Sequence, residues 1–415
     1  MLNYCFYLQQ NDTGMTAKNY GLLSLLLLLF AAALYFMRNT PLQVDEKDYY
    51  PQIIRFASGD YTVDPNISAL PTYHALQACI SKITGITDVV FFRFINVLFA
   101  LMAIAMFLRT DKALSNDDSL LKTLQFTFLP FIFPYFLLIY TDVLSMMLML
   151  TAFYFFVKKN YQWCGIFSIM GCMVRQNNIM WLGMFLVLSY LEISQGGVGI
   201  KGFVAYLKKY WSFAAGVLLF IIFVALNKGI AVGDKSMHPP FSIQLGNVYF
   251  FLFLHFILFL PLHLSNAKNI FHFISKYKIV LLGVALFYVV FMFTFHNTHP
   301  YNTQWGNYFL RNRLLILFSC TNVHKIIFFL PVCYAVLSLC VTPLKSKYFW
   351  LMYATAFLFL IPSWLIEQRY YMIPFAFFLL MKKEDKKWME VVTLGVFVLM
   401  SAFFYLMIRS NTHFI

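Results

Sequence analysis

Charge is scarce in this chain. Only 12% of its 415 residues are Asp, Glu, Lys or Arg, where a soluble globular protein carries about a quarter. Acid is the rarer sign, with 17 Asp and Glu against 31 Lys and Arg. That deficit excludes an ordinary soluble domain. Seven cysteines, at 5, 79, 164, 172, 320, 333 and 340, lie mostly inside apolar runs, and none forms a CxxC pair. They read as small buried apolar residues, which excludes a disulfide framework and a thiolate metal site. His296 and His299 stand three apart with no third ligand in view, so no metal cluster is visible. Internal repeats, low-complexity stretches and linkers are also missing, so residues 1–415 are expected to form a single domain.

Apolar residues are abundant. They make up 61% of the chain, and Phe alone occurs 49 times. The apolar residues gather in long runs. About 20 helical residues cross the hydrocarbon of a bilayer, and a barrel would show alternating strands of about ten residues instead. The expected fold class is therefore an all-α polytopic membrane protein. Candidate spans are 20–37, 88–108, 122–140, 142–157, 163–175, 178–193, 211–228, 246–264, 278–296, 322–341, 349–366, 370–381 and 388–408, thirteen in all. The spans 163–175 and 370–381 are short and suit tilted, paired or re-entrant helices. The stretch 308–321 is a further candidate for membrane helix. The run Tyr20–Met37 is longer than a signal-peptide core, which favours an uncleaved first span over cleavage near Ala31–Ala33.

The net charge of +14 sits in short loops between spans. With the N-terminus in the cytosol, every inner loop carries Lys or Arg, as the positive-inside rule requires. No basic stripe stands apart from the spans, so nucleic acid is not expected as a partner. The opposite loops differ in character. They hold Asp45-Glu46, Tyr140-Thr141-Asp142, Arg175-Gln176-Asn177-Asn178, Gly233-Asp234-Lys235, His296 to Tyr301, and Glu367-Gln368-Arg369-Tyr370. Polar groups at membrane depth are costly and usually functional. Six such clusters on one face suggest one assembled site.

The longest outer loop is 38–87. Pro51 is placed to open a short helix through Ala57, with Gly59 as its stop. A second helix, Pro71 to Lys82, has apolar residues at Leu70, Tyr73, Leu76, Ile80 and Ile83, a face suited to the membrane interface. Asn66-Ile67-Ser68 is a glycosylation sequon close to the assembled site, where modification is not expected.

These clusters carry a resemblance. In order along the chain they resemble motifs of the α-1,2-glucosyltransferase family of the endoplasmic reticulum, which adds the terminal glucose to the lipid-linked oligosaccharide for N-glycosylation. Asp45-Glu46 with Pro51-Gln52 resembles its acidic motif after the first span. Asp64-Pro65 with Leu70-Pro71-Thr72-Tyr73 resembles "WDP…TxPPGLY", and Tyr140-Thr141-Asp142 resembles "YYTD". Arg175 to Ile179 resembles "RQTNI", and Val232 to Ser236 with His238 resembles "VGDKSNH". His299-Pro300-Tyr301 resembles "HPY", and Glu367 to Tyr370 with Ile373-Pro374 resembles "EPRYFLIPY". Three departures stand out. Tyr49 occupies a position that is often His, Val63 replaces the "WDP" tryptophan, and Asn302-Thr303-Gln304-Trp305 diverges after the "HPY" motif.

The resemblance implies a GT-C glycosyltransferase fold with a lumenal active site in the endoplasmic reticulum membrane. Its substrates would be dolichyl-phosphate glucose and a lipid-linked oligosaccharide, with membrane lipids around it and no metal or other cofactor. A β-linked donor giving an α-1,2 product means inversion, which needs one base for the acceptor hydroxyl. Phosphate is already a good leaving group, so the acid partner of an inverting glycosidase is dispensable. Asp45 is the candidate base, with Glu46 orienting it or the acceptor. Arg175 and Arg369 suit the donor phosphate, because guanidinium grips phosphate bidentately. Lys235 offers a point charge and His299 a hydrogen bond. Asp142 fits either a sugar hydroxyl or the N-cap of its helix. Asp234 either contacts substrate or braces Lys235. Gln176 and Asn177 are acceptor ligands or loop residues. Glu367 and Tyr370 are assigned to substrate, with an ion pair to Arg369 as the alternative for Glu367. A mannose-donor transferase, a transporter and a non-catalytic membrane partner remain open readings.

Overall fold

The computed structural model describes residues 15–115, 120–194, 199–233, 235, 243–303 and 308–415. Asp234 lies outside the described residues, as do Ser236, His238, Gln304 and Trp305. Among the described residues there are twenty α-helices and four short 3-10 turns, with isolated bridges at Phe309–Phe414 and Leu344–Lys382 in place of any strand. Among the described residues four helices are long and apolar enough to cross a membrane: Ala17–Met37, Val89–Ser115, Asn322–Val341 and Lys387–Arg409. Counting each bent pair as one span gives six. Ile200–Lys209 meets Trp211–Asn227 at 91°, and Ala267–Lys276 meets Ile279–Thr294 at 108°. Shorter apolar helices include Thr141–Val157, Tyr161–Val174 and Gly246–Leu258.

Some expected spans are not continuous helices, and 246–264 breaks at Phe259 into Gly246–Leu258 and Leu260–Ser265. The run 122–140 folds as Leu120–Thr127, a turn, and the 3-10 segment Phe133–Leu137. Pro130 and Pro134 lack the N–H a continuing helix needs and crowd the preceding turn. Irregular backbone is tolerated at depth only inside protein, and residues 129–140 are all buried. Side chains satisfy the freed groups. Ser401 Oγ donates to the Phe128 carbonyl at 2.7 Å, and Asn96 Nδ2 to the Tyr135 carbonyl at 3.0 Å. The run 349–366 also ends early. Its helix stops at Leu360 and leaves 361–367 irregular. Helix Met372–Met381 is buried at every residue and packs against Val89–Ser115, Thr141–Val157 and Leu351–Leu360, so it is a core helix with no lipid-facing side.

Aromatic rings fill this core. Phe377 lies 5.1 Å from Phe153, 5.0 Å from Trp181 and 5.8 Å from Phe185, within the range of favourable edge contacts. Small residues let helices touch elsewhere. A Cβ on Gly165 would fall 2.1 Å from Ser212 Oγ, so Tyr161–Val174 and Trp211–Asn227 approach almost backbone to backbone.

The loop 38–87 holds two helices packed on each other, Glu46–Ala57 and Thr72–Thr84. The first begins five residues before the expected Pro51, which sits inside it, and ends before Gly59 at φ +93°. The second buries Tyr73, His74, Gln77, Ala78 and Ser81. Its apolar Leu76 and Ile83 stay 40% and 79% exposed, leaving an apolar strip outward.

Ion pairs mark the two ends of the long helix Val89–Ser115. Arg93 lies near one end and Asp111 near the other, about 27 Å apart along the axis. Asp111 pairs with Lys122 at 3.2 Å and Lys345 at 2.9 Å. Nearby, Lys382 pairs with Glu390 at 2.6 Å. Asp45 and Glu46 lie at the Arg93 end, where Glu46 pairs with Arg93.

Candidate functional site

Asp45 opens the first loop helix, directly after Val44, whose φ of +43° is a left-handed conformation that a β-branched residue rarely adopts. Strained backbone of this kind persists only where its surroundings enforce it. The Asp45 backbone N–H donates to the Tyr140 hydroxyl at 3.3 Å. Its carboxylate pairs with the Arg369 guanidinium. Arg369 also pairs through Nε with Glu367 at 2.7 Å, and Glu367 in turn pairs with Arg311 at 3.0 Å. Asp142 pairs with Arg175. The Tyr370 ring joins the two halves, with Arg175 5.5 Å and Arg369 5.7 Å from its centroid. Thus residues far apart in sequence form one chain of three carboxylates and three guanidiniums.

Electrostatics follow from this packing. Burial disfavours the charge on Arg369, but Asp45 and Glu367 outweigh it and hold its pKa above the ordinary value. Tyr49 is raised too, by burial and then by Asp45. The space among Asp142, Arg175, Arg369 and Tyr370 is only about 10 Å³, so the paired side chains leave little of it open, and Asp45 lies outside its lining. A larger cavity of about 630 Å³, lined by Tyr190, Tyr206, Lys209 and Tyr210, touches none of the expected site residues.

Glu46 does not face this cleft. It has no exposed surface, and its oxygens take Arg93 Nε at 2.9 Å, Arg93 Nη2 at 2.6 Å, the Ile139 N–H at 2.8 Å and the Gln43 N–H at 2.9 Å. It fixes the loop from behind and has no route to an acceptor. Gln176 is likewise a strut, donating to the carbonyls of Ser68 at 3.2 Å and Ile230 at 3.1 Å. Lys235 donates to the Asn227 carbonyl, not into the cluster. His299 accepts from the Tyr301 N–H at 3.1 Å and packs against Trp364, 4.7 Å between centroids. Asn177 lines the cleft beside Asp142 and Arg175. Asn66 donates to Asp48 at 3.1 Å with its side chain exposed.

Several supports escaped the motif reading. Arg93 and Arg311 were visible as lone charges in apolar or aromatic surroundings, where a charge needs a partner. Asn247 and Asn302 hold the segment that carries Glu367. Asn247 donates to the carbonyls of Ser363 and Leu365, each at 2.8 Å, and accepts from the Glu367 N–H at 3.1 Å. Asn302 grips both backbone groups of Ile366 at 3.0 Å. The signal for Asn247 was an amide opening an apolar run, where it cannot go unbonded, while Asn302 lies in a polar stretch that gave none. Gly233 is required by contact. A Cβ there would lie 2.1 Å from the Pro65 carbonyl oxygen.

Fold and site define a class: an all-helical protein with at least four helices able to cross a membrane and an ion-paired polar cleft gathered at one end. The chain belongs to the DIE2/ALG10 family, whose model matches residues 40–199 and 192–380. It is similar to a human protein named Dol-P-Glc:Glc(2)Man(9)GlcNAc(2)-PP-Dol alpha-1,2-glucosyltransferase, 25% identical over 85% of each chain. Proteins of the same name are similar in Drosophila melanogaster, 22% identical over 87% of this chain and 89% of the relative, and in Candida albicans, 25% over 67% and 65%. No solved structure matches the chain significantly.

Proposed function

We propose that the protein is an inverting α-1,2-glucosyltransferase that moves glucose from dolichyl-phosphate glucose to a diglucosylated lipid-linked oligosaccharide. In this reading the chain has the GT-C architecture with about thirteen membrane crossings, and works at the lumenal face of the endoplasmic reticulum membrane. Family membership and the relatives' shared name support the reaction.

Asp45 carries the mechanism. Its side chain is 23% exposed, against 6% for Asp142 and 3% for Glu367, so of the three carboxylates it is the one a hydroxyl can reach. Asp45 takes the acceptor proton as the acceptor oxygen bonds to the anomeric carbon. The bond from that carbon to the donor phosphate breaks on the opposite face, and the phosphate leaves with the electron pair. Arg369 releases Asp45 and turns toward the phosphate, exchanging one anionic partner for another as the lipid phosphate enters. Arg175 and Tyr370 border the same space. Asp142 lies in the first turn of its helix and Arg175 just past the end of its own, not at midspan, which separates this reading from a transporter.

The test is transfer from synthetic dolichyl-phosphate glucose to the diglucosylated acceptor by purified wild-type and Asp45→Asn protein. Product from the wild type alone is expected. Substantial activity in folded Asp45→Asn would remove Asp45 as base. Product only with dolichyl-phosphate mannose would replace the sugar.

A further inference from the structure

The cleft is balanced in charge, with Asp45, Asp142 and Glu367 against Arg175, Arg369 and Arg311. A donor phosphate entering it needs additional positive charge nearby. Next to the cleft lies an apolar cavity of about 330 Å³ between helices Gly246–Leu258, Leu310–Ser319 and Lys387–Arg409. Phe250, Leu254, Leu314, Met400 and Phe404 form its walls. Arg311, Arg313 and Gln368 also line it, and Gln368 is the residue before Arg369. Arg313 is exposed, and its Nη2 donates to His413 Nε2 at 2.7 Å.

His413 is held there by its own segment. The Phe414 N–H donates to the Tyr308 carbonyl and the Leu310 N–H to the Phe414 carbonyl, both at 2.9 Å. Phe414 and Ile415 are buried, and Ile415 joins the cavity wall. Asn411 accepts from Gln43 at 3.1 Å, two residues from Asp45. Residues 411–415 therefore tie the cavity to the loop that presents Asp45.

An apolar cavity whose lining also carries two guanidiniums and an amide is complementary to a molecule with an apolar tail and an anionic head. Resting on the transferase reading above, we infer that this cavity takes the polyisoprenyl chain of the donor, that Arg313 contacts its phosphate, and that His413 positions Arg313. The head then lies beside Gln368 and Arg369, where the glycosyl carbon can meet Asp45.

The proposal is tested by labelling the full chain with a photoreactive polyprenyl phosphate and mapping the modified peptides. Labels in 246–258, 310–319 and 387–415 are expected, displaced by dolichyl phosphate but not by dolichol. Displacement should weaken about tenfold or more in Arg313→Ala, since a hydrogen bond to a charged group is lost, and partly recover in Arg313→Lys. His413→Ala should weaken it less, and His413→Asn, which keeps an acceptor, should restore it. Leu254→Trp, which leaves the charges intact, should block labelling by filling the cavity. In transfer assays, Arg313→Ala should raise the donor KM with the acceptor KM unchanged. Labels elsewhere, equal displacement by dolichol or by phosphatidic acid, or unchanged phosphate affinity in Arg313→Ala would overturn the proposal. Labelling as expected without glucose transfer would overturn the sugar assignment and leave the cavity assignment standing.

Discussion

Neighbouring residues in this protein have opposite fates. Asp45 is presented to the cleft, while Glu46 is sealed behind it against Arg93. A carboxylate and a guanidinium out of water are tolerable only as a satisfied pair, and removing one member costs about 3–5 kcal/mol. Glu46→Gln and Arg93→Met should each lower thermal stability in detergent by that order, and the double variant should lose less than the sum of the two. Additive losses would mean that the pair does not act as a unit. His74 makes a different demand. Neither ring nitrogen finds a hydrogen-bond partner among the described residues, the ring packs 4.9 Å from Tyr49, and burial lowers its pKa to about 3. The unfolded chain therefore binds a proton at His74 from about pH 6.5 downward, while the folded chain resists until about pH 3. The contribution of this residue is intact above pH 6.5 and falls with pH, by about 2 kcal/mol at pH 5. His74→Phe should flatten the acid side of the stability profile, and an unchanged profile would contradict the burial.

Elements matter most where they fail to continue. Prolines break the run 122–140 and the helix from 351 stops at Leu360, and both irregular stretches are buried or lie at the cleft. Motifs marked Glu367 and Arg369, yet the segment bearing them is placed by amides from two other helices, Asn247 and Asn302. Asn302→Leu would strand the N–H and carbonyl of Ile366. Small misplacement of positioned groups is costly, so turnover should fall between about tenfold and a hundredfold. The measurement is kcat alongside a thermal melt. A variant that melts early but turns over normally would make Asn302 a stability residue only.

At the scale of the whole molecule, ion clusters at the two ends of helix Val89–Ser115 separate two tasks. The Asp111 cluster joins loops from distant parts of the chain through Lys122 and Lys345. Asp111→Asn removes the carboxylate that Lys345 pairs with and one of the two that hold Lys122, so thermal stability should drop by about 3 kcal/mol. The cleft is about 27 Å away, so the substrate KM values should not move; a changed donor KM would show that the ends are coupled. The sequence by itself determined the helical membrane class, most helix positions, the family and the polar motifs that bring Asp45, Asp142, Arg175, Glu367 and Arg369 into one cluster. These rest on local apolar runs and on short motifs, which need no knowledge of partners. Only the tertiary structure decided that Glu46 turns inward, that Gln176 and Lys235 serve backbone carbonyls, and that Arg93, Asn247, Asn302 and Arg311 support the cleft. The reason is physical: burial of a polar group is settled by whichever partner lies opposite it, and here those partners come from other helices.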